Sequence, residues 1–179
     1  MNYIFTSERL GFRPLSMSDL PEFSEMNKCE KVMEYFPKRL SNDESKAFLE
    51  RIQSHFLTYA YSLYAVNILE TNQFIGFSGF IYQDFESYFT PCIEIGWRIK
   101  SDFWNNGYGT EAAKSCLTYG FETFQFNEIY SITAEINKKS ERIMQKIGMI
   151  KNGFFPHPKL DDNSPLKKHV VYKIERVIE

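Results

Sequence analysis

Cys92-Ile93-Glu94-Ile95-Gly96-Trp97-Arg98-Ile99 alternates apolar and other residues with the period of two that a half-buried strand requires. Shortly after it, Gly107-Tyr108-Gly109-Thr110-Glu111 opens a stretch in which Ala113, Cys116, Leu117, Gly120, Phe121 and Phe124 recur at helical spacing. Strand, glycine turn and helix in succession constrain the fold more than any other feature of the chain. They also aim bare backbone N–H groups at one point. The first-turn N–H groups of a helix have no partner inside it, and the helix dipole adds positive potential there. Such a turn suits a diphosphate.

Two nucleotide motifs can be compared with it. Gly107-Tyr108-Gly109-Thr110-Glu111-Ala112 has the spacing of the dinucleotide fingerprint. That fingerprint, however, stands near the start of a domain, with an acidic residue closing the next strand. Here the glycines lie mid-chain, and Glu128 and Glu135 flank the following strand instead. The lysine-bearing phosphate loop is absent.

The remaining pattern reads as α+β. A strand covers about Arg9 to Leu15, and Ser16 and Ser18 cap a short helix running to about Asn27. Ser41 and Glu44 form a capping box for a second helix striped by Phe48, Ile52, Phe56 and Tyr59. Tyr64 to Leu69 and Phe74 to Tyr82 form a hairpin turning at Thr71-Asn72. Beyond the glycine helix come a strand Ile129 to Ala134, a helix Lys138 to Ile147, and strands near Met149 to Phe155 and His169 to Glu175. There is no repeat, linker or low-complexity segment, so residues 1–179 are expected to form one domain.

Composition narrows the function classes. A formal net charge of −2 and the lack of a basic aromatic patch argue against a nucleic-acid partner. No leader-like segment or apolar run of membrane length stands out, so a cytoplasmic protein without a membrane partner is expected. Cys29, Cys92 and Cys116 have no metal-ligand spacing, nor do His55, His157 and His169, so no metal site is expected. Most of the 17 Phe and 11 Tyr read as core filling.

Three blocks resemble the GNAT superfamily of N-acetyltransferases. Trp104-Asn105-Asn106-Gly107-Tyr108-Gly109-Thr110-Glu111-Ala112 is similar to its acyl-CoA motif. Asn137-Lys138-Lys139-Ser140 with Met144-Gln145-Lys146-Ile147-Gly148-Met149 is similar to a second motif, and Ser7-Glu8-Arg9-Leu10-Gly11-Phe12-Arg13-Pro14-Leu15 to the family's opening. The branch that looks closest holds the ribosomal-protein N-terminal alanine and serine acetyltransferases. Asn105-Asn106 stands where that branch usually has glycine and a cation. The resemblance implies a mixed, mostly antiparallel sheet of about seven strands, splayed at the centre and flanked by about four helices. It also implies acetyl-CoA as co-substrate and an amine acceptor, either a protein N-terminus or a small amine, in a monomer or homodimer. A non-catalytic acyl-CoA-binding sensor or docking module is the alternative.

Site residues follow from both sources. Glu94 shares one face of its strand with Cys92, Gly96 and Arg98, where partial burial would raise its pKa towards that of a useful general base. The competing account is a structural pair with Arg98, whose Cα lies roughly 13 Å further along the strand. The resemblance places Asn137 and Ser140 beside the cofactor's sulfur, with Ser140 the candidate acid; Asn137 also reads as a plain helix cap. It lays the cofactor's amide arm along Trp97, Arg98 and Ile99. The diphosphate then falls on the loop from Trp104 to Thr110, including Asn105, Asn106, Gly107, Tyr108 and Gly109. Lys139, Arg142 and Lys146 could reach the adenosine phosphates, or could form a solvated helix face. The acceptor wall is expected at Met33, Tyr35 and Phe36, with Phe80 and Tyr82 added from the preceding strand; core packing competes for Phe36 and Phe80. Among Met33, Glu34, Tyr35, Phe36 and Pro37 only Glu34 is acidic, which disfavours a polycationic acceptor.

Overall fold

The computed structural model describes residues 2–176. Among them the strands are β1 Phe5–Thr6, β2 Leu10–Pro14, β3 Leu63–Ile68, β4 Phe74–Gln83, β5 Cys92–Ile99, β6 Glu128–Ala134, β7 Ile150–Pro156 and β8 Lys168–Glu175. The α-helices are α1 Leu20–Lys28, α2 Glu30–Met33, α3 Asn42–Tyr59, α4 Tyr108–Thr123 and α5 Lys138–Lys146. The class is the expected α+β, with eight strands and five helices rather than about seven and four. The additions are β1, of two residues, and α2, a single turn. Both are too short to carry a periodic signal.

One sheet orders the strands β1-β2-β3-β4-β5-β6-β8-β7. Every neighbouring pair is antiparallel except β5 and β6. Those two run parallel and register only at Glu94↔Tyr130. The sheet therefore opens at its centre, beyond Glu94.

The two faces of the sheet are covered differently. On one, α4 brings Ala112, Ala113, Cys116 and Leu117 against Phe12, Tyr64, Phe80 and Ile95. Gly120 lets the helix approach, since a Cβ there would stand 2.6 Å from the Phe80 ring. On the other, α1 and α3 pack Phe23, Met26, Leu49 and Ile52 on Ala65 and Phe77. Each large apolar side chain buried this way contributes about 1.5–3 kcal/mol.

The Ser41–Glu44 capping box forms, with Glu44 N–H donating to Ser41 Oγ at 3.1 Å and Ser41 N–H to Glu44 Oε2 at 2.8 Å. The apolar stripe of α3 is rotated from the expected one. Leu49 and Ile52 enter the core, Phe48 is half-buried, and Tyr59 is 41% exposed.

Candidate active site

β5 sets the geometry. Lys100 N–H donates to Ile75 C=O of β4 at 2.8 Å. Backbone groups alternate sides along an antiparallel strand, so those of Arg98 also face β4, where Arg98 pairs with Phe77. Those of Trp97 and Ile99 face the opening towards β6. Two groups on that edge already have partners. Ser131 Oγ donates to Ile95 C=O at 3.0 Å, where the strands still meet, and Trp104 Nε1 donates to Ile99 C=O at 2.8 Å. Trp97 N–H and C=O and Ile99 N–H are left facing the gap.

The glycine loop sits at the far end of this edge. Gly107 caps α4 with φ +80°, a conformation that disfavours any side chain, and Asn105 also has positive φ, at 64°. Glu111 N–H returns to Gly107 C=O at 3.0 Å. The N–H groups of Tyr108, Gly109 and Thr110 belong to the first turn and have no partner within the helix. Trp104 is held in place by its bond to Ile99 and by Lys139, whose Nζ lies 4.6 Å from the indole centroid. That contact brings the start of α5 to the loop. Arg142 and Lys146 are exposed on the same helix. Asn137 caps α5: its Oδ1 accepts from Ser140 N–H at 3.2 Å, while its Nδ2 donates to Thr133 Oγ1 at 3.1 Å. Ser140 is half-buried in the first turn.

Glu94 stands where the sheet opens. Gln83 Nε2 donates to its Oε2. Burial pushes its pKa up to about 7, against the opposing effects of the Gln83 bond and the positive charge of Lys159. Two residues on, a Cβ at Gly96 would meet no atom within 4 Å, so the space over this face of β5 is open. Arg98 follows on the same face, but the two side chains do not pair. Arg98 Nη1 donates to Asn27 Oδ1 at 2.6 Å, and its guanidinium lies 4.1 Å from the Phe36 ring centroid. Met33, Phe36, Phe48 and Arg98 help to line a cleft of about 260 Å³ there.

The family model for the acetyltransferase (GNAT) domain matches residues 9–150. The chain belongs to the GNAT acetyltransferase family. It is 30% identical over 151 residues to the uncharacterized N-acetyltransferase YnaD of Bacillus subtilis, covering 84% of each protein. Among solved structures, a GNAT acetyltransferase from Bacillus anthracis superposes with a TM-score of 0.78 at 26% identity, over 95% of this chain and 96% of that one. The ribosomal-protein-S5-alanine acetyltransferase of Vibrio fischeri shares the fold, with a TM-score of 0.75 at 17% identity over 96% and 95% of the two chains.

In this GNAT acetyltransferase the side chains named from sequence divide between the two faces of the sheet. Glu94, Arg98, Met33 and Phe36 lie on the α1–α3 side. Phe80 pairs with Ile95 and is wholly buried under α4 on the other. Tyr82 follows Phe80's parity and stacks on Tyr59 at 5.5 Å. Tyr35 is half-buried beside Glu34.

Sequence reasoning did not single out three supporting residues. Gln83 holds Glu94, and Asn27, fully buried, holds Arg98. Glu111 ties the glycine helix to the start of the chain, accepting from Ser7 Oγ at 2.7 Å, Arg9 N–H at 2.9 Å and Arg9 Nε at 2.7 Å. The available signal was that Arg9 and Glu111 each fall inside a family-like block. Among the described residues no helix is long and apolar enough to cross a membrane, and no group of three His, Cys, Asp or Glu could hold a metal.

Proposed function

We propose that this acetyltransferase moves the acetyl group of acetyl-CoA to a primary amine, with Glu94 accepting the amine proton and Ser140 assisting the departing sulfur. The observation that carries the reading is Glu94 itself, a carboxylate held near pKa 7 where the sheet opens, with clear space beside it. An ammonium ion cannot attack an acyl carbon. A base that titrates near neutrality removes its proton better than an ordinary carboxylate does.

The residues fit the cofactor. Trp97 and Ile99 offer strand-edge groups to a polar amide arm, as an added strand would require. The bare first turn of α4 offers N–H groups to a diphosphate, and Gly107 supplies the turn that exposes them. Lys139 on the Trp104 face, with Arg142 and Lys146 beyond it, supplies cations for further phosphates. Asn137 and Ser140 stand at the head of α5 beside the gap. Bound acetyl-CoA supplies the activated acyl carbon.

Nitrogen then bonds to that carbon as the carbon–sulfur bond breaks, and the electron pair leaves on sulfur. The nitrogen proton passes to Glu94, directly or through a water. A thiol near its own pKa of roughly 8.5 leaves tolerably unaided, so the Ser140 contribution is the smaller one. Met33, Tyr35 and Phe36 form the acceptor side.

The test follows free thiol released from acetyl-CoA across a broad amine panel. Amine-dependent release is expected. Tight CoA binding without release from any amine would instead mark a sensor.

A further inference from the structure

Among the described residues Arg98 is a buried cation without a counter-charge. It is 9% exposed, and burial lowers its pKa to about 9, so it remains charged at neutral pH. A guanidinium has five N–H donors. Among the described residues one of its groups is satisfied, by the neutral oxygen of Asn27, and its buried Nε has no partner. Asn27 is itself fixed, since its Nδ2 donates to Ser45 Oγ at 3.3 Å. The other neighbours are the rings of Phe36, Phe77 and Phe48, at 4.1, 5.2 and 5.7 Å. Aromatic faces attract a cation but accept little hydrogen bonding from it. Proteins rarely leave a desolvated charge in this state, because burying it unpaired is strongly unfavourable.

The surroundings add to the imbalance. The cleft that Arg98 lines also holds Lys38 and Arg51, and none of its lining residues is acidic. Lys38 is taken by Glu44. Arg51 is exposed at the rim, 5.4 Å from the Phe48 ring centroid. Across the open space over Gly96, on the same face of β5, stands Glu94. A base and an unpaired cation thus share one face of β5 with open space between them at Gly96, and aromatic rings stand on the Arg98 side.

Resting on the amine-acetylation reading, we infer that the acceptor is a primary amine carrying its own anionic group, a carboxylate or a phosphate. Its anion meets the free N–H groups of Arg98 while its nitrogen lies towards Glu94. A guanidinium fork fits either anion with two parallel bonds. The roughly 13 Å between the Glu94 and Arg98 Cα positions suits an amino acid or a short peptide. A polyamine would bring a second positive charge to Arg98.

The experiment compares matched amines: glycyl-phenylalanine with its C-terminal amide, phenylalanine with phenylalaninamide, phosphoethanolamine with ethanolamine, and spermidine. Acetylation is read as kcat/KM. Binding to the CoA complex is read by calorimetry, so preference is measured even for an amine that is not turned over. At least one anionic member should exceed its neutral partner tenfold or more, and spermidine should trail it. R98Q should collapse that ratio, and R98K should restore part of it. Equal values within every pair, or a lead for spermidine, would overturn the inference while leaving amine acetylation standing. A ratio that survives in folded R98Q would also overturn it. The wild-type ratios decide the matter if R98Q does not fold. The separate result that no amine releases thiol would strike the proposed reaction, and the binding ratios would still decide this inference.

Discussion

Glu94 gives the protein a titration that can be read without any substrate. Its pKa stands at about 7 in the fold and near the ordinary 4.5 in the unfolded chain. Between those values the folded state holds more protons, so stability falls as pH rises from about 4.5 to 7. Glu94→Gln removes the titration and still offers Gln83 an oxygen. Equilibrium denaturation should therefore find the mutant about 1–3 kcal/mol more stable than wild type at pH 8, with the gap closing near pH 4. A gap independent of pH would remove the case for a desolvated carboxylate. Ser140→Ala should lower turnover less than Glu94→Gln does, and the loss should shrink as pH approaches roughly 8.5, where the thiol ionises unaided. That comparison needs only the wild-type rate and the two mutant rates at three or four pH values. Strand alternation alone told that Glu94 and Arg98 share a face. It could not tell that Arg98 turns to Asn27, because that partner lies 71 positions away in the chain.

Helix α4 is the element on which the cofactor reading depends. Its first turn is bare because Gly107 turns the chain at φ +80°, and it is anchored because Glu111 holds Ser7 and Arg9. Gly109 has a different role. A Cβ there would stand 3.1 Å from Ile143 Cδ1, so a β-branched side chain crowds Ile143 of α5 where that helix meets the loop. Gly109→Val should weaken CoA binding tenfold or more, about 1.4 kcal/mol, in a protein that still unfolds cooperatively. Calorimetric titration with CoA checks this, and an unchanged affinity would detach the glycine loop from cofactor binding. The element boundaries were largely legible, since β5 spans the same Cys92 to Ile99 that its alternation marks. The face of Phe80 was not. Period-two spacing puts Phe80 and Tyr82 on one side of β4, but only the register Phe80↔Ile95 says that this side meets α4 rather than the cleft.

At the scale of the whole molecule, the central opening distinguishes this sheet from a closed one. The parallel neighbours β5 and β6 register at a single pair, and the Trp97 N–H and C=O and the Ile99 N–H lie beyond it on the diverging edge. Hydrogen exchange should find the Trp97 and Ile99 amides fast in the free protein and strongly slowed by CoA, while Arg98, bonded within the sheet to β4, changes little. Slowing confined to Arg98 would invert the assignment of the edge. The class of this architecture was readable from the order of strands and helices. The opening was not, because the spacing of residues within a strand says nothing about where its neighbour diverges; the family-like motifs alone implied it. The most direct test of the account is the pH–rate profile of amine acetylation by wild type and Glu94→Gln. Wild-type kcat/KM should rise through about pH 7, and the mutant should lose that acidic limb and roughly 10²–10⁴-fold in rate while binding CoA as tightly as before. A mutant that keeps the wild-type rate and the same limb would contradict it.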